Sequence, residues 1–259
     1  MRRSRLHDTD RAWRDYGRCD PYYGVLSDAR YHADVIDERA RADFYASGEQ
    51  DIERTFAWIR HALDPAFAPR RALDFGCGLG RLTLPLAKRA GHVTGVDISP
   101  DMLESAEKTC ARAGVANVDF VLSDDALSRV TGTYDFVHSF IVFQHIPPAR
   151  GEAMLTRLLE HLSDGGIGAL HFTFGSRLSG TLRLVQRLRK RVPLVNNLVN
   201  VAKGRGFWYP PMQMNAYDLN RLSMILIGQG CHELSTRFTD HGGHIGAVLF
   251  FRKQPLPLW

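Results

Sequence analysis

The sequence predicts an α/β chain: a doubly wound, mostly parallel seven-stranded sheet with a C-terminal antiparallel strand pair and a helical N-terminal lid. Three observations carry this expectation. From residue 70 onward, short apolar runs alternate with helix-length amphipathic stretches, the pattern of a parallel sheet covered by helices. The first apolar run passes into a glycine-rich turn, Gly76-Cys77-Gly78-Leu79-Gly80, that opens a helix. The last two runs are joined only by Thr239–His244, too short for a helical crossover, so they must pair antiparallel.

Residues 1–68 read as helical and polar. A loop is expected at Asp20-Pro21-Tyr22-Tyr23-Gly24, and Ser47-Gly48-Glu49 interrupts the pattern again. From Gln50 to Leu63, Ile52, Phe56, Ile59 and Leu63 recur at helical spacing, and Asp64-Pro65 ends that helix. Strands are expected at Arg71–Phe75, His92–Asp97, Asn117–Leu122, Tyr134–Phe140 and Ile167–Phe174. Between them lie helices at Gly80–Ala90, Ser99–Ala113 and Arg150–Leu162, the last stopped by Asp164-Gly165-Gly166. A helix over Asn215–Gly228 precedes the closing strands Cys231–Phe238 and Ile245–Arg252.

Composition narrows the class. The 259 residues are 44% hydrophobic and 24% charged, ordinary globular usage that supports a sizeable core. No run of 18 or more apolar residues exists, so no transmembrane helix is expected. The basic start Met1-Arg-Arg-Ser-Arg lacks the apolar stretch of an export signal, so a cytoplasmic location is expected. Cys19, Cys77, Cys110 and Cys231 are scattered, which fits a reducing compartment and predicts no metal site. Between Ser176 and Tyr217 stand eight Lys/Arg (Arg177, Arg183, Arg187, Arg189, Lys190, Arg191, Lys203, Arg205) and no Asp or Glu. Removing those eight from the net +5 leaves −3, so the chain is a near-neutral body with one basic segment, not a uniformly basic nucleic-acid binder.

The sharpest signal is Leu73-Asp74-Phe75-Gly76-Cys77-Gly78-Leu79-Gly80-Arg81. Glycines let the backbone turn tightly and remove Cβ atoms from a ligand's path. The spacing is G-x-G-x-G, with Arg81 where a dinucleotide fingerprint would place glycine. Asp74 would repel a pyrophosphate but suits a cation such as an ammonium or sulfonium. The second strand ends on Asp97, where a carboxylate can accept from both ribose hydroxyls. A lone glycine turn is usually only a turn; with Asp97 and an acid after the third strand, Asp124, it points to a nucleoside ligand.

These residues resemble the core of class I S-adenosylmethionine-dependent methyltransferases. Leu73–Gly80 is similar to that family's first motif, and Val96-Asp97-Ile98-Ser99 to its ribose-binding motif. Phe120–Asp125 resembles the stretch that meets adenine. Tyr134–Phe140 resembles the fourth-strand motif, and Asp164–Ile167 the turn into the fifth strand. The resemblance implies S-adenosyl-L-methionine as cofactor. It implies Asp74, Gly76 and Gly78 at the methionine part and Asp97 at the ribose, with Cys77, Gly80, Ser99 and Met102 also among the cofactor-binding residues. Ile98 would pack on adenine. Asp124 or Asp125 would take the adenine amino group, with Asp125 or Ala126 offering backbone. Ser139 or Phe140 would lie near the sulfonium. The expected division is a lid over 1–68, a cofactor-binding Rossmann-like core over 69–175, a basic helical insertion over 176–214, and a completing unit over 215–259.

Methyl transfer from a sulfonium needs mainly alignment, and a base only if the acceptor must lose a proton. Candidate bases are His145 after the fourth strand and His241 and His244 in the last loop; capping and solvated-turn roles compete. His138 and His171 fall inside strands and read as packing residues. Tyr16, Tyr22, Tyr23, Phe44, Trp208 and Tyr209 invite a pocket, with Tyr16 as a cofactor lid or as core. The segment 176–210 has three readings: a contact for an anionic membrane surface, a receiver for an anionic acceptor, or a solvated lid. The expected function is methylation of an O or N atom of a small molecule or a glycan or lipid-linked precursor. The alternatives are a non-catalytic S-adenosylmethionine-binding module and a nucleotide-dependent oxidoreductase, which Arg81 disfavours. Nucleic acid is not expected as acceptor, because Ser139-Phe-Ile-Val replaces the Asn-Pro-Pro-aromatic type of motif.

Overall fold

A computed structural model describes residues 8–177, 200, 206–207 and 209–254. Most of the basic segment (178–199 and 201–205) and Trp208 lie outside the described residues.

The sheet has seven strands in the expected arrangement. They are β1 (Arg71–Phe75), β2 (His92–Asp97), β3 (Val118–Leu122), β4 (Tyr134–Ser139), β5 (Leu162–Ser176), β6 (Cys231–His241) and β7 (His244–Lys253). Their spatial order is β3-β2-β1-β4-β5-β7-β6. The first five run parallel, while β7 pairs antiparallel with both β5 and β6. The chain winds outward from β1 in one direction and from β4 in the other, so the crevice between their carboxyl ends is the natural ligand position.

Helices cover both faces. One face packs Leu73, Phe75, Val137, Leu170 and Phe172 against α6 (Pro148–Glu160) and α7 (Leu219–Gly228). The other packs Ala72, Val93, Phe136 and Ala169 against α3 (Glu38–Ala62) and α4 (Thr83–Ala87). α5 (Pro100–Arg112) lies on β2 and β3 and is capped by Ser99, whose hydroxyl accepts from the Met102 amide. The lid consists of α1 (Thr9–Cys19), α2 (Pro21–Val25) and the first half of α3, joined by an aromatic cluster around Tyr16, Tyr31 and Phe44.

Several local expectations are corrected. Asp20–Gly24 is not a loop; Pro21 starts α2, where its fixed φ and missing N–H cost nothing. Gly48 does not interrupt the N-terminal helix, and α3 runs through it. Ala40, Phe44, Gly48, Ile52 and Phe56 form one i, i+4 stripe. A Cβ at Gly48 would stand 2.1 Å from the Arg81 carbonyl, so the glycine is a packing notch that lets α3 touch the turn after β1. Asp164-Gly165-Gly166 lies inside β5, which takes up the irregularity as a register shift against Tyr134/Phe136. The final loop shrinks to Gly242-Gly243, both with positive φ (62° and 86°), a two-residue hairpin that glycines permit. His241 and His244 therefore face each other across the turn as a strand pair.

Candidate functional site

A cavity of about 750 Å³, its mouth included, opens at the carboxyl ends of β1, β2 and β4. Its floor is the glycine turn. Gly76, Gly78 and Gly80 have φ of +75°, +52° and +76°, conformations that side chains resist. A Cβ on Gly76 would come within 2.4 Å of Val142, and one on Gly78 within 2.9 Å of Val25, and both of those residues also line the cavity. Gly80 serves packing instead, facing Ala106 of α5 at 3.2 Å. Cys77 is buried away from the cavity, its would-be neighbour being Gly95, and burial pushes its thiol well up.

Asp97 lines the cavity and organises its floor. One carboxylate oxygen accepts from the Gly78 amide and the other from the Ser99 amide, each at 2.9 Å. Burial raises its pKa against these backbone donors, so the carboxylate is held ready for a further donor from the cavity. Ile98 and Met102 line the wall next to it, and Ser123, after β3, continues that wall. Phe140, Ile141 and Val142 form the side toward β4, with Ile141 held at φ 60°.

The lid closes the top. Thr9, Asp10 and Trp13 of α1 and Gly24 and Val25 of α2 line the cavity. Arg150 on α6 grips α1 through a two-pronged pair with Asp10 (2.6 and 2.9 Å) and also binds Asp125 (2.7 Å). Thr9 donates to the His145 carbonyl at 2.8 Å. Tyr16 is buried and lies outside the cavity lining. It packs on Trp13 and Tyr209 and donates to the Pro210 carbonyl at 3.0 Å, so it takes its packing role.

His145 is the cavity's histidine. Its Nδ1 meets the Gln213 carbonyl at 2.7 Å, which fixes the proton there and leaves Nε2 with a lone pair. That lone pair faces the Gln144 amide nitrogen at 3.2 Å, and the Gln144 oxygen accepts from the Thr173 hydroxyl at 2.7 Å. Burial lowers the His145 pKa to about 4, so the ring is neutral near pH 7. Trp13 stands against it with ring centroids 4.8 Å apart. His241 and His244 do not line this cavity. His241 reaches Phe140 (5.7 Å) and His171 (5.3 Å), and burial lowers the pKa of both His241 and His244.

Other expected contacts stand elsewhere. The Asp74 carboxylate is buried on the opposite face of β1 from Leu73 and Phe75, where it accepts from Thr83 at 2.6 Å and meets His138 at 3.0 Å. Asp124 closes its own turn, accepting from the Ala126 and Ser128 amides and the Ser128 hydroxyl, which hold its pKa low. Asp125 and Ala126 are exposed, and Asp125 serves Arg150. Ser99 caps α5, and Ser139 donates to the Phe75 carbonyl at 2.9 Å; neither lines the cavity. Sequence reasoning missed Ser123, Arg150 and the α1 residues. The Asp10–Arg150 contact spans 140 residues, which no local pattern reports.

The cavity is thus largely apolar, with two carboxylates (Asp97, Asp10), one guanidinium (Arg150) and a neutral imidazole. An enclosed site with one excess negative charge suits a ligand that combines a nucleoside with a cation. No helix among the described residues is long and apolar enough to cross a membrane.

Residues 72–166 match a family model described as a methyltransferase domain. A 23S rRNA (uracil(1939)-C(5))-methyltransferase from Methylococcus capsulatus is 47% identical over 76 residues, 29% of this chain and 17% of that protein. A ubiquinone biosynthesis O-methyltransferase from the same organism is 38% identical over 95 residues, 36% of this chain and 40% of that protein. The matched stretch thus spans well under half the length of these curated relatives. Among solved structures, magnesium protoporphyrin IX methyltransferase from Synechocystis PCC 6803 with bound SAH superposes with a TM-score of 0.64 at 21% identity, covering 95% of this chain and 100% of that one. That likeness is one of fold. Over residues 72–166 the chain is thus similar to a methyltransferase domain, and its fold is shared with the solved magnesium protoporphyrin IX methyltransferase.

Proposed function

We propose that the protein binds S-adenosyl-L-methionine in the cavity above Gly76 and Gly78 and transfers its methyl group to an O or N atom of a small molecule or of a glycan or lipid-linked precursor. The observation that carries this reading is Asp97: a buried carboxylate at the end of β2, pinned by two backbone amides and open to a cavity of about 750 Å³. The bound cofactor would supply an electrophilic methyl on a sulfonium. The chain's own part is to hold and align. Asp97 accepts the ribose hydroxyls, and Ile98 and Met102 pack beside them. Ser123 offers polar contact at the adenine end. The bare backbone of Gly76 and Gly78 lets the methionine part lie close, and the excess negative charge of the cavity favours the sulfonium over its neutral product.

Of the three candidate histidines, His145 is the one we assign to the acceptor, because it lines the cavity and presents Nε2 with its tautomer fixed by Gln213. With a pKa of about 4 it is a weak base. A weak base is enough, since a hydroxyl becomes strongly acidic as it gains a methyl group. In this role Nε2 exchanges its Gln144 amide donor for the acceptor O–H, takes that proton late and passes it to solvent.

The match to an rRNA enzyme is partial, 29% of this chain and 17% of that protein, so a small acceptor stays the preferred reading. Isothermal titration with S-adenosylhomocysteine and with NAD tests the cofactor: micromolar binding of the first and none of the second is expected. Release of S-adenosylhomocysteine on a panel of hydroxylated and amino acceptors tests turnover. Binding without turnover across hydroxyl, carboxyl and amine classes would favour a regulatory module instead.

A further inference from the structure

A short strap, residues 209–215, joins the lid to the cavity's histidine without lining the cavity itself. It belongs to no helix or strand, so its carbonyls enter no ladder and must find other donors. Two of those donors are side chains already met. The Tyr16 hydroxyl donates to the Pro210 carbonyl at 3.0 Å, and His145 Nδ1 meets the Gln213 carbonyl at 2.7 Å. Between them the Ser27 hydroxyl, just past α2, reaches Met212 Sδ at 3.3 Å. At the far end the Asn215 amide donates to the Gln144 carbonyl at 2.7 Å. The strap therefore touches the lid at its start and the base at its end.

Its first residue is the anchor. The Tyr209 hydroxyl donates to Asp20 at 2.6 Å, a bond to a carboxylate and so one of the stronger kind. Asp20 is buried and stands at the joint between α1 and α2, the two helices that cover the cavity. The same carboxylate accepts from the Ala33 amide at 2.8 Å and meets His32 Nδ1 at 2.5 Å, with Tyr23 stacked on the His32 ring at 3.8 Å. One buried charge thus gathers the lid joint, residues 32–33 and the strap. Tyr209 also packs edge-on against Tyr16, with ring centroids 5.6 Å apart. Pro210 and Pro211 fix two φ angles beside this anchor, so a shift of Tyr209 is carried along the strap and not absorbed by it. Lifting the strap breaks the bonds at Asp20, Tyr16 and His145 together, which makes lid and imidazole two readouts of one element.

We propose that Tyr209 is a positioning residue that, through the strap, fastens the lid joint and fixes the His145 imidazole as a single event. The lid half of this proposal rests on the cofactor reading; the imidazole half needs no ligand. The test uses the full chain with Tyr209→Phe, which removes one hydroxyl and keeps the ring against Tyr16, and a thermal melt checks that the variant folds. Asp20→Asn, which weakens the same bond from its other end, is the second variant. Long-range nitrogen–proton NMR spectra report the His145 tautomer, its signals identified among the eleven histidines by their loss in His145→Gln. The ligand-free parent should show a neutral ring with its proton on Nδ1, and the variant a ring moved toward a mixture of both tautomers. Dissociation of S-adenosylhomocysteine, followed by Trp13 fluorescence, should quicken by roughly tenfold in the variant. Only the two changes together support the proposal. Faster release with unmoved His145 signals would make the strap a fastener of the lid alone, moved signals with unchanged release would uncouple the lid, and no change in either would reduce Tyr209 to packing; each overturns it. If the parent fails to bind S-adenosylhomocysteine, the cofactor reading falls, and the imidazole spectra still decide whether Tyr209 positions His145.

Discussion

Replacing Asp97 by Asn separates the site's charge from its shape. Both carboxylate oxygens already accept backbone amides, from Gly78 and Ser99 at 2.9 Å. Asn can accept only one of these, and its amino group faces the other N–H. One charge-assisted hydrogen bond within the floor is lost, worth about 1.5–3 kcal/mol. Removing a charge that burial disfavours returns part of that, so the melting temperature should drop by only about 2–6 °C. The ligand has no such offset. Ribose hydroxyls that donate to a carboxylate lose about 1.5–3 kcal/mol when the charge goes, so the Kd for S-adenosylhomocysteine should rise roughly 10- to 100-fold. Titration calorimetry measures this directly. Its pH dependence adds a sign: the bound state needs the ionised carboxylate, so parent affinity falls as pH drops through the raised pKa of Asp97, while the Asn variant stays flat. A variant Kd within twofold of the parent would refute the assignment of this carboxylate to the ligand.

Gly76→Ala should abolish measurable S-adenosylhomocysteine binding and lower stability by about 2 kcal/mol, from the left-handed backbone (φ +75°) and the 2.4 Å approach to Val142; pairing it with Val142→Ala should restore part of the stability, seen in urea midpoints. His145 and His171 have pKa values lowered by burial from 6.5 to about 4 and about 3. Below pH 6.5 the unfolded chain takes up protons that the folded chain refuses, so stability is full above that pH and falls toward pH 4 by about 1.4 kcal/mol per pH unit for each ring; His145→Gln should remove its own share of a slope to which His241 and His244 also contribute, and an unchanged slope would contradict its burial in neutral form. Arg150→Met frees Asp10 and loosens α1, so dissociation of S-adenosylhomocysteine should speed up about tenfold in stopped-flow fluorescence of Trp13, with little change in the parent's association rate.

The strands along the chain and the glycine turn were legible because each has a local signature: alternation of element types, and G-x-G-x-G between a strand and a helix. Asp97 was legible because it ends the second strand. The direction of Asp74 was not. Leu73-Asp74-Phe75 is buried on both faces, so no polar alternation reveals which side chains share a face. The same limit hid the fate of Asp124, whose carboxylate was free to close a local turn with Ser128. Gly48 read as a helix breaker because propensity is local, whereas the reason for that glycine is a carbonyl in another element. Arg150 belongs to no local motif at the start of its helix, and only tertiary structure shows it bridging Asp10 and Asp125.

The fastening of α1 carries a consequence for biosynthesis. Thr9, Asp10 and Tyr16 find their partners 136, 140 and 194 residues downstream, at His145, Arg150 and Pro210. α1 is thus made well before its partners and finds its seat late, because those loop closures wait on residues 145 to 210. A nascent or C-terminally shortened chain would assemble much of the sheet yet leave the glycine turn uncovered, with Trp13 in water. Competence to retain a nucleoside is in this sense a late event, conferred only when residues 9–16 meet residues 145–210.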